Sequence, residues 1–590
     1  MCGIYGFFNF SSNQLIQEEI MCRMSMVLRH RGPDETSYLY ASKYGIGNER
    51  LSIIDIEGGK QPFFSHDKKV AVVQNGEIFN YLELREELIS QGVSFSSKSD
   101  TEVILRGYQK HGINYISKLN GMFAIAILDR NIDTLFLIRD RIGEKPLYYT
   151  EENGLILFAS EIKSILETGY HTPQPDFDSL SDYLSFNYVP SPRTAFKNIK
   201  HLSPGHYLEV SQKGITNHKW WDLADITPVE GRSESDWNEE FLFLLESSTK
   251  LRMRSDVAYG AFLSGGVDST SIVAQMAKLS QNQISTFSIG FEDPAYDESF
   301  FALEAARKFK TKHITQFVSQ DLLDLWPLTT YHCDQPHGDV SFMPMRKLSE
   351  LARAHIKVAL TGDGGDELFG GYTKYLDILN SLNPNPSLDH LTDTIHHKIR
   401  LFSLPEKKKL INSSQEFNQT SSDPKGIIRS CLQKVEHQDI INRILYLEMI
   451  HLLNGNNLIK TDRMAMSVGL ETRSPYLDYR MMEFAFRMPG VMKLRANITK
   501  HFLKQAVAPV IGEKLSYRKK QMFTVPIGDW FRTSKYEYCV DNMPNFLFSK
   551  DILMDLCTRH KNGTENYTRE LRALIAIKHW ATKFFPIFAQ

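Results

Sequence analysis

The sequence predicts a two-domain protein in which an α+β domain of sheets with outer helices precedes an α/β domain built on a parallel sheet. Residues 2–170 contain short runs of β-branched and aromatic residues that are interrupted by two helical patterns. From about residue 235 onward, strand and helix patterns alternate along the chain. This alternation is typical of a doubly wound parallel sheet with helices on both faces.

Length and composition limit the class of protein. A chain of 590 residues exceeds what one hydrophobic core usually supports, and 42% hydrophobic with 23% charged residues is an ordinary globular balance. The formal net charge of −2 gives no reason to expect nucleic acid or a membrane surface as a partner. The N-terminus lacks the features of a secretory signal, and no apolar run approaches the ~20 residues of a membrane span. Six cysteines without a C-x-x-C pair predict neither a disulfide framework nor a zinc site. We therefore expect a cytoplasmic protein.

The first domain is predicted at residues 2–200, followed by a linker at residues 201–235. Helical periodicity marks residues 81–90 and 101–111. Strand patterns of β-branched and aromatic residues mark 2–8, 70–74, 122–128, 134–138 and 155–159. Residues 171–235 contain several prolines and few periodic segments. These observations predict sheets covered by helices and then a connecting region.

The second domain is predicted at residues 236–540, with a C-terminal extension at 541–590. Its strand patterns lie at 257–263, 284–291 and 357–360, and its helical patterns lie at 268–279, 298–309 and 345–355. In a parallel sheet of this kind, ligands bind outside the carboxyl ends of the strands. Loops that follow the predicted strands are therefore the places to look for chemistry.

Cys2 is the candidate nucleophile of the first domain. An initiator methionine before a small residue is commonly removed, which would make Cys2 the first residue of the mature protein. A free α-amino group has a pKa near ~7.7–8.0 and can act as a base beside its own thiol. A single cysteine at the start of a strand is more often a buried core residue. Cys2 therefore needs support from the rest of the domain.

That support comes from a series of motifs that resembles the class II glutamine amidotransferase family in order and spacing. The motifs are C-G-I-Y-G at 2–6, H-R-G-P-D at 30–34, R-L-S-I at 50–53, N-G-E-I at 75–78 and S-D-T-E at 99–102. The resemblance continues through residues 119–123 and 139–149. Members of the family are N-terminal nucleophile hydrolases with a four-layer αββα fold. The resemblance implies that fold and glutamine hydrolysis for residues 2–200.

The resemblance also implies roles for individual residues. Cys2 is expected to attack the side-chain amide of glutamine, with Asn75 and the backbone of Gly76 donating to the oxyanion. Arg50 is expected to pair with the α-carboxylate of glutamine, which suits a forked guanidinium.

Two carboxylates complete the predicted glutamine pocket. Asp100, assisted by Glu77, is expected to hold the α-ammonium of glutamine. Taken singly, Arg50 and Asp100 would be read as members of ordinary surface ion pairs. One residue departs from the family pattern, because Asn48 stands where family members often carry histidine. This departure bears on the positioning of the substrate.

A second group of motifs lies in the second domain. The segment S-G-G-V-D-S at 264–269 lies between a predicted strand and a predicted helix, where glycines and exposed N–H groups favour an anion. This segment resembles the loop of ATP pyrophosphatases, which cleave ATP between the α and β phosphates. The resemblance implies ATP contacts at Leu263, Ser264, Gly265, Gly266, Asp268, Ser269, Ile289, Thr361, Gly362, Arg518 and Lys520.

Further motifs resemble the asparagine synthetase family. They are T-G-D-G-G-D-E at 361–367, D-R-M-A-M at 462–466, E-T-R-S-P-Y-L-D at 471–478 and K-x-x-x-K at 500–504. The acidic glycine-rich loop at 361–367 follows a predicted strand, which suits binding of a nucleotide with Mg²⁺. The resemblance implies catalytic roles for Asp363 and Lys500, and Mg²⁺ contacts at Asp268 and Asp366. Lys500, Arg518 and Lys520 are expected to neutralise charge on the transferred phosphoryl group and on pyrophosphate.

Three further residues depart from the family pattern. Asp363 stands where many members have glutamate, Met522 where glycine is frequent, and Gln335 where an acid is more usual. Asp363 retains the charge on a shorter side chain, and Met522 bears on the shape of its loop. Gln335 leaves the identity of the carboxylate acceptor open.

Three hypotheses follow from the sequence. The first is a glutamine-dependent asparagine synthetase that uses ATP and Mg²⁺ and passes ammonia from one site to the other. The second keeps this chemistry but amidates a sugar or peptide carboxylate in a surface-polymer or natural-product pathway. The third is a non-enzymatic scaffold, which the presence of Cys2, Asp268 and Lys500 disfavours. Family members often form homodimers, and the resemblance extends that expectation to this chain.

Overall fold

The protein is described here by a computed structural model that covers residues 2–11, 14–410, 420–518, 525–533 and 548–586. Three sheets organise this part of the chain, two of them antiparallel and one parallel. Within the same residues, no helix has both the length and the low charge that crossing a bilayer requires.

The two antiparallel sheets contain the first twelve strands. The first sheet has the order β10-β8-β9-β1-β3-β2, and the second has the order β12-β11-β7-β6-β5-β4. The strands are β1 (Cys2–Asn9), β2 (Glu35–Ala41), β3 (Tyr44–Arg50), β4 (Phe63–Phe64), β5 (Val70–Ile78), β6 (Gly121–Asp129), β7 (Thr134–Arg139), β8 (Tyr148–Glu152), β9 (Leu155–Ala159), β10 (Lys200–His201), β11 (His206–Ser211) and β12 (Gly214–Lys219).

These sheets face each other and carry helices on their outer sides. Ile4 and Phe8 of β1 share a buried core with Val73 of β5, because alternate residues of a strand point to opposite faces. On the outer face of the first sheet, Tyr5 packs with residues of the helices Glu19–Met26 and Ile162–Leu166. The helices Tyr81–Ser90 and Asp100–His111 cover the second sheet in the same way. The four-layer αββα architecture is therefore confirmed.

The segment 201–235 differs from the linker that the sequence predicts, because β11 and β12 form a hairpin that extends the second sheet. β11 pairs with β7, which lies some way upstream in the chain. The buried residues Leu208 and Val210 alternate with partly exposed neighbours over only six residues. So short an alternation becomes a recognisable strand only beside its partner.

The second half of the chain is built on a five-stranded parallel sheet. Its strands are β13 (Tyr259–Phe262), β14 (Ser285–Phe291), β15 (Lys312–Val318), β16 (Val358–Leu360) and β17 (Glu471–Arg473), in the order β15-β14-β13-β16-β17. The chain runs outward from β13 through β14 to β15 and then crosses back to β16. The order therefore reverses between β13 and β16, which is where ligands bind in open α/β sheets.

Helices cover both faces of this sheet. On one face, Ala261 and Leu360 share a core with Ile272 of the helix Val267–Leu279. On the other face, Phe262 and Ala359 pack with residues of the helices Phe342–Arg353 and Leu458–Met466. The predicted doubly wound parallel sheet is confirmed.

The remaining helices complete the two halves. The α-helices not yet named are Phe177–Phe186, Glu234–Arg252, Ser299–Lys308, Trp326–Cys333, Gly365–Phe369, Thr373–Leu379, Leu388–Ile399, Leu404–Leu410, Pro424–Gln433, Ile440–Glu448, Tyr479–Arg487, Gly490–Lys493, His501–Ile511, Glu513–Tyr517, Ile527–Arg532, Lys550–Lys561 and Thr568–Phe584. Short 3-10 helices lie at Ile113–Lys118, Leu223–Asp225, Gln320–Leu325 and Pro475–Leu477, and a π-helix at Met449–Asn457. The last α-helix packs on the helix Phe177–Phe186, where the Tyr183 hydroxyl donates to the Ala573 carbonyl at 2.9 Å.

Candidate functional site

Cys2 begins the buried strand β1, directly opposite Arg50 in β3. Its backbone nitrogen donates to the Asn75 side-chain oxygen at 3.1 Å. Burial raises the pKa of the Cys2 thiol, while Leu51, Arg50 and Asn48 act in the opposite direction. The first predicted nucleophile therefore lies in a buried polar setting with groups that favour a thiolate.

Asn75 and Gly76 lie next to each other near the end of β5. The Asn75 amide also approaches the Ser160 hydroxyl at 3.4 Å, so both ends of this amide are held. Gly76 has a φ of +145°, and a Cβ at this position would lie 2.0 Å from the Met122 carbonyl oxygen. Only glycine fits this backbone conformation and this approach. The structure brings the predicted oxyanion residues to Cys2.

The Arg50 guanidinium is buried and held by the loop that follows β3. It donates to the carbonyls of Ile54, Asp55 and Ile56 at 2.8–3.2 Å, and it lies 3.3 Å from a Glu35 carboxylate oxygen. Four acceptors thus orient the guanidinium close to the cysteine.

Two buried carboxylates lie across the same pocket. Asp100 accepts from the Gln74 amide at 3.0 Å and from the Ile78 backbone N–H at 2.9 Å. Burial raises the pKa of Asp100. The pKa of Glu77 is raised well above its ordinary value, first by burial and then by the nearby carboxylates of Asp100 and Glu471. Two close carboxylates in a dry pocket favour a bound cation.

Residues of the second domain also reach this pocket. The Arg473 guanidinium lies 3.5 Å from Glu77 and 2.5 Å from Glu471. Arg473 and Glu471 both belong to β17 of the parallel sheet. Their motif is recognisable in the sequence, but nothing local indicates that β17 contacts the first domain.

The side chain of Asn48 lies next to Cys2. Its amide donates to the Gln74 carbonyl at 2.9 Å and to the Gln61 side chain at 3.3 Å, and its side chain interacts with the thiol. The departure from histidine therefore falls on a residue that touches the predicted nucleophile.

The second group of motifs meets at the switch point of the parallel sheet. Residues 264–269 follow β13, and residues 361–367 follow the neighbouring strand β16. The two loops pack tightly, since a Cβ on Gly362 would lie 2.9 Å from the backbone nitrogen of Ser269. Two loops about a hundred positions apart in the chain therefore lie side by side.

The loop at 264–269 is closed by its own hydroxyls. Ser264 and Ser269 place their hydroxyl oxygens 3.1 Å apart, and Ser264 also accepts from the Gly266 N–H at 3.3 Å. Arg518 donates to the Gly265 carbonyl at 2.9 Å. The helix Val267–Leu279 starts here, so its N-terminal N–H groups favour an anion in front of the loop.

Lys500 joins the two loops. Its ammonium group contacts the carboxylates of Asp268 and Asp366, the latter at 2.6 Å. Burial alone would lower the pKa of Lys500, but the two carboxylates outweigh burial and raise it. Lys500 also has a φ of +53°, so its backbone adopts the left-handed conformation at the start of a helix. A charged lysine is therefore fixed beside the predicted phosphate loop.

Asp363 contacts hydroxyl groups of its own domain and lines a cavity that residues of the first domain also line. Its carboxylate accepts from the hydroxyls of Thr361 at 2.7 Å and Thr461 at 3.2 Å, and its carbonyl accepts from Ser474. Lys500 thus lies beside the loop at 264–269, here called the phosphate side of the site, whereas Asp363 lies beside Thr361 and Thr461.

The remaining predicted residues of the second domain lie at different distances from the phosphate loop. Leu263 is buried at the end of β13, beside the phosphate loop, whereas Ile289 is buried in an apolar cluster of β14. Gln335 accepts from the Ala195 backbone N–H at 2.8 Å and so braces the first domain. Lys520 and Met522 fall outside the residues that the structure describes.

A cavity of about 20 Å³ lies between the two groups of residues, large enough for one water-sized molecule. Its wall combines both halves of the chain, and its charged members are Glu144, Lys145, Asp363, Asp462 and Arg473. Burial raises the pKa of Glu144 to about 8. The motif at 139–149 contains Glu144 and Lys145, but their position facing the second domain follows only from the fold.

Comparison with known families agrees with this geometry. The asparagine synthase family model matches residues 240–582, and the glutamine amidotransferase domain model matches residues 1–221. Among solved structures, the glutamine PRPP amidotransferase of B. subtilis, complexed with ADP and GMP, is 15% identical with a TM-score of 0.30. That similarity covers 55% of this chain and 70% of the other.

Curated relatives extend over nearly the whole chain. Asparagine synthetase [glutamine-hydrolyzing] 1 of Bacillus subtilis is 32% identical over 98% of this chain and 96% of its own length. A putative asparagine synthetase of Mycobacterium bovis is 30% identical over 99% and 97%. Amidase chyE of Penicillium rubens is 28% identical over 90% and 89%. The chain therefore belongs to the asparagine synthase family, as a glutamine-hydrolysing ligase with an N-terminal amidotransferase domain.

Proposed function

We propose that the protein makes asparagine and glutamate from aspartate, glutamine, ATP and water, with release of AMP and pyrophosphate. The observation that carries the proposal is the cavity between the two sites. Its wall contains residues that neighbour the glutamine pocket and residues of the nucleotide loops. A molecule of the size of ammonia fits this space.

In the first half of the reaction, the Cys2 thiolate attacks the side-chain carbonyl of glutamine. Removal of Met1 would give Cys2 a free amine that accepts the thiol proton. Asn75 and the Gly76 N–H stabilise the oxyanion, the C–N bond breaks, and ammonia leaves. Water then hydrolyses the thioester to glutamate. Glu77 and Asp100 hold the α-ammonium group of glutamine, and Arg50 holds the α-carboxylate group of glutamine.

In the second half, the β-carboxylate of aspartate attacks the α-phosphorus of ATP and the bond to pyrophosphate breaks. Lys500 contacts Asp268 and Arg518 contacts Gly265 of the phosphate loop, which supports a role for both in balancing the charge of the phosphates, and Lys520 is proposed to assist them. Ammonia then attacks the acyl carbon, the bond to AMP breaks, and one proton is lost. Asp363 lies on the side from which ammonia arrives.

Mg²⁺ fits the phosphate side of this site. Proteins bind Mg²⁺ with one or two carboxylates together with substrate phosphates, and Asp268 and Asp366 provide two carboxylates that share one cation already. In the described part of the chain, no group of three or more His, Cys, Asp or Glu side chains forms a metal site. When bound, Mg²⁺ would neutralise charge on the phosphates.

The charges of the cavity wall support a route for neutral ammonia. Lys145 and Arg473 balance the formal charges of Asp363 and Asp462. Glu144, whose pKa is raised to about 8, adds no charge at neutral pH. A wall without net charge does not favour ammonium, which is not a nucleophile.

The relatives named as asparagine synthetases support aspartate as the acceptor. A second candidate is another carboxylate, which the similarity to the Penicillium amidase supports. The two candidates share every step and differ only in which carboxylic acid is adenylated and then amidated.

The test is a product assay with purified protein, glutamine, ATP, Mg²⁺ and one carboxylate at a time. Aspartate should yield asparagine and AMP in equal amounts. Turnover only with a sugar or peptide carboxylate would support the second candidate, and ADP in place of AMP would contradict both. Cys2→Ala should abolish amidation from glutamine and retain amidation from ammonium chloride. A Cys2→Ala variant that still used glutamine would disprove the role of Cys2.

A further inference from the structure

Arg31 is a buried residue that contacts the nucleophile, and it has no role in the steps above. Its Nε donates to the backbone carbonyl of Cys2 at 3.1 Å. One guanidinium thus holds the start of β1, from which the thiol projects. Arg31 belongs to the H-R-G-P-D motif at residues 30–34.

The rest of the Arg31 guanidinium is held mainly by the second domain. Its two terminal nitrogens donate to the two carboxylate oxygens of Asp462 at 2.9 and 3.1 Å. One of these nitrogens also donates to Glu161 at 2.9 Å. A two-pronged pair of this kind fixes both the distance and the plane of the guanidinium.

Asp462 lies on the helix Leu458–Met466, which also lines the nucleotide site. The preceding residue, Thr461, donates to the Asp363 carboxylate at 3.2 Å. The same helical turn therefore contacts the predicted acceptor side of one site and, through Arg31, the nucleophile of the other.

We propose that Asp462 is a positioning residue for glutamine hydrolysis, acting across the domain boundary through Arg31 on Cys2. The inference rests on the proposed function, because it assumes that Cys2 hydrolyses glutamine. It adds that the first site is complete only when the helix Leu458–Met466 of the second domain is docked against it.

The physical reason is the geometry of the pair. Replacing Asp462 by asparagine keeps the volume but exchanges one acceptor oxygen for an NH₂ group that faces the guanidinium. Arg31 must then rotate or shift, and the Cys2 carbonyl loses a fixed donor. A displacement of ~1 Å at a nucleophile lowers turnover by roughly 100-fold.

The chain offers a matched control in Asp334. This aspartate belongs to the second domain, is fully buried and pairs across the same boundary with Lys163 at 2.7 Å. It also faces Arg463 at 3.4 Å. Asp334→Asn therefore removes a charge from the same buried network without touching the Arg31 pair.

The experiment measures glutamate release from glutamine without ATP, and amidation from ammonium chloride with ATP, on the full-length protein. Asp462→Asn should lower kcat for glutamine hydrolysis roughly 10- to 100-fold with little change in KM. Amidation from ammonium chloride should fall by a smaller factor than glutamine hydrolysis, since Asp462 also lines the cavity between the two sites. Asp462→Glu should recover part of the lost kcat, and Asp334→Asn should hydrolyse glutamine like the unmodified protein.

Three results would overturn the inference. The first is normal glutamine hydrolysis by the Asp462→Asn variant. The second is an equal loss of glutamine hydrolysis in the Asp462→Asn and Asp334→Asn variants. The third is an equal loss of glutamine hydrolysis and of amidation from ammonium chloride in the Asp462→Asn variant. A failure of the proposed function itself is distinguishable, because the unmodified protein would then release no glutamate.

Discussion

At the scale of single residues, the most informative groups are buried carboxyls whose pKa values are raised. Burial raises the pKa of Asp100 and of Glu77, and neither carboxylate faces solvent. A folded protein tolerates such groups when a ligand provides the missing charge. We propose that these two carboxyls hold the ammonium group of an amino acid and that Arg50 holds its carboxylate.

Glu144 is a third buried carboxyl, and it lies in the cavity between the two sites. Burial is the main reason that its pKa rises to about 8, with Asp140 and Asp478 adding to the effect. Arg252 and Lys145 act in the opposite direction. Folded Glu144 therefore binds a proton at neutral pH.

This proton has a consequence for stability. Unfolded Glu144 releases its proton near the ordinary value of 4.5, whereas the folded group keeps it up to about pH 8. The contribution of this proton to the free energy of unfolding is therefore complete below pH 4.5. As the pH rises from there toward 8, the free energy of unfolding decreases by roughly 1.4 kcal/mol for each pH unit. Glu144→Gln should remove that slope. Urea unfolding at pH 5.5, 6.5 and 7.5 measures it.

The control is Glu86→Gln, a substitution of an exposed glutamate in the helix Tyr81–Ser90. Its free energy of unfolding should follow the same pH dependence as the unmodified protein. If the Glu144→Gln and unmodified curves were parallel over this pH range, the raised pKa of Glu144 would be wrong.

At the scale of helices and strands, the sequence predicted the elements that carry both sites. The helix predicted at 81–90 is found at Tyr81–Ser90, and the helix predicted at 268–279 at Val267–Leu279. Local signals explain this accuracy. Ser99 caps the helix Asp100–His111 by accepting from the Thr101 N–H, and Gly112 ends it.

The elements that sequence patterns missed carry a weak local signal. β2 is an edge strand that pairs with β3, β3 pairs with β1 on its other side, and most residues of β2 are only half-buried. The edge strand β15 is likewise half-buried. Without a clear alternation of buried and exposed residues, such strands show little local periodicity.

The helix Val267–Leu279 supports a prediction about its first turn. Asp268→Ala should lower amidation from both glutamine and ammonium chloride by at least roughly 100-fold, because Lys500 loses a carboxylate partner and the proposed Mg²⁺ would lose a ligand. Glutamine hydrolysis without ATP should continue. Release of AMP and of glutamate, measured separately, distinguishes the two effects.

The other end of the same helix provides the control. Lys278 is largely exposed and pairs with Glu246 on the surface. Lys278→Ala should leave both activities unchanged. Persistent amidation in the Asp268→Ala variant would contradict the assignment of the phosphate side.

At the scale of the whole molecule, buried ion pairs hold the two domains together. The Arg463 guanidinium of the second domain lies 2.8 Å from Glu161 of the first, and all of Arg463 is buried. Lys163 and Asp334 form another pair across the same boundary. Separating the domains would break both of these pairs and leave only the contacts within each domain, Lys163 with Glu161 and Arg463 with Asp334.

This arrangement predicts that the domains unfold together. Arg463→Met should lower the free energy of unfolding by about 3–5 kcal/mol, because Glu161 stays buried without one of its cations. Calorimetry and urea titration should show one transition for the unmodified protein and an earlier one for the variant.

Arg495 is the matched control, since its guanidinium pairs with Glu234 and both side chains are more than half exposed. Arg495→Met should change the free energy of unfolding by less than about 1 kcal/mol. Equal losses for the two arginine variants would show that burial across the domain boundary has no special effect.

The sequence by itself determined the family, the two-domain plan, the candidate nucleophile and the phosphate loop. Each of these depends on residues close together in the chain, such as the glycines and serines of 264–269. The tertiary structure alone decided that Arg473 faces the glutamine pocket, that Asp462 holds Arg31, and that Glu144 lies in the cavity. These contacts join residues hundreds of positions apart, and no local pattern encodes which buried charge will meet which partner when two domains pack.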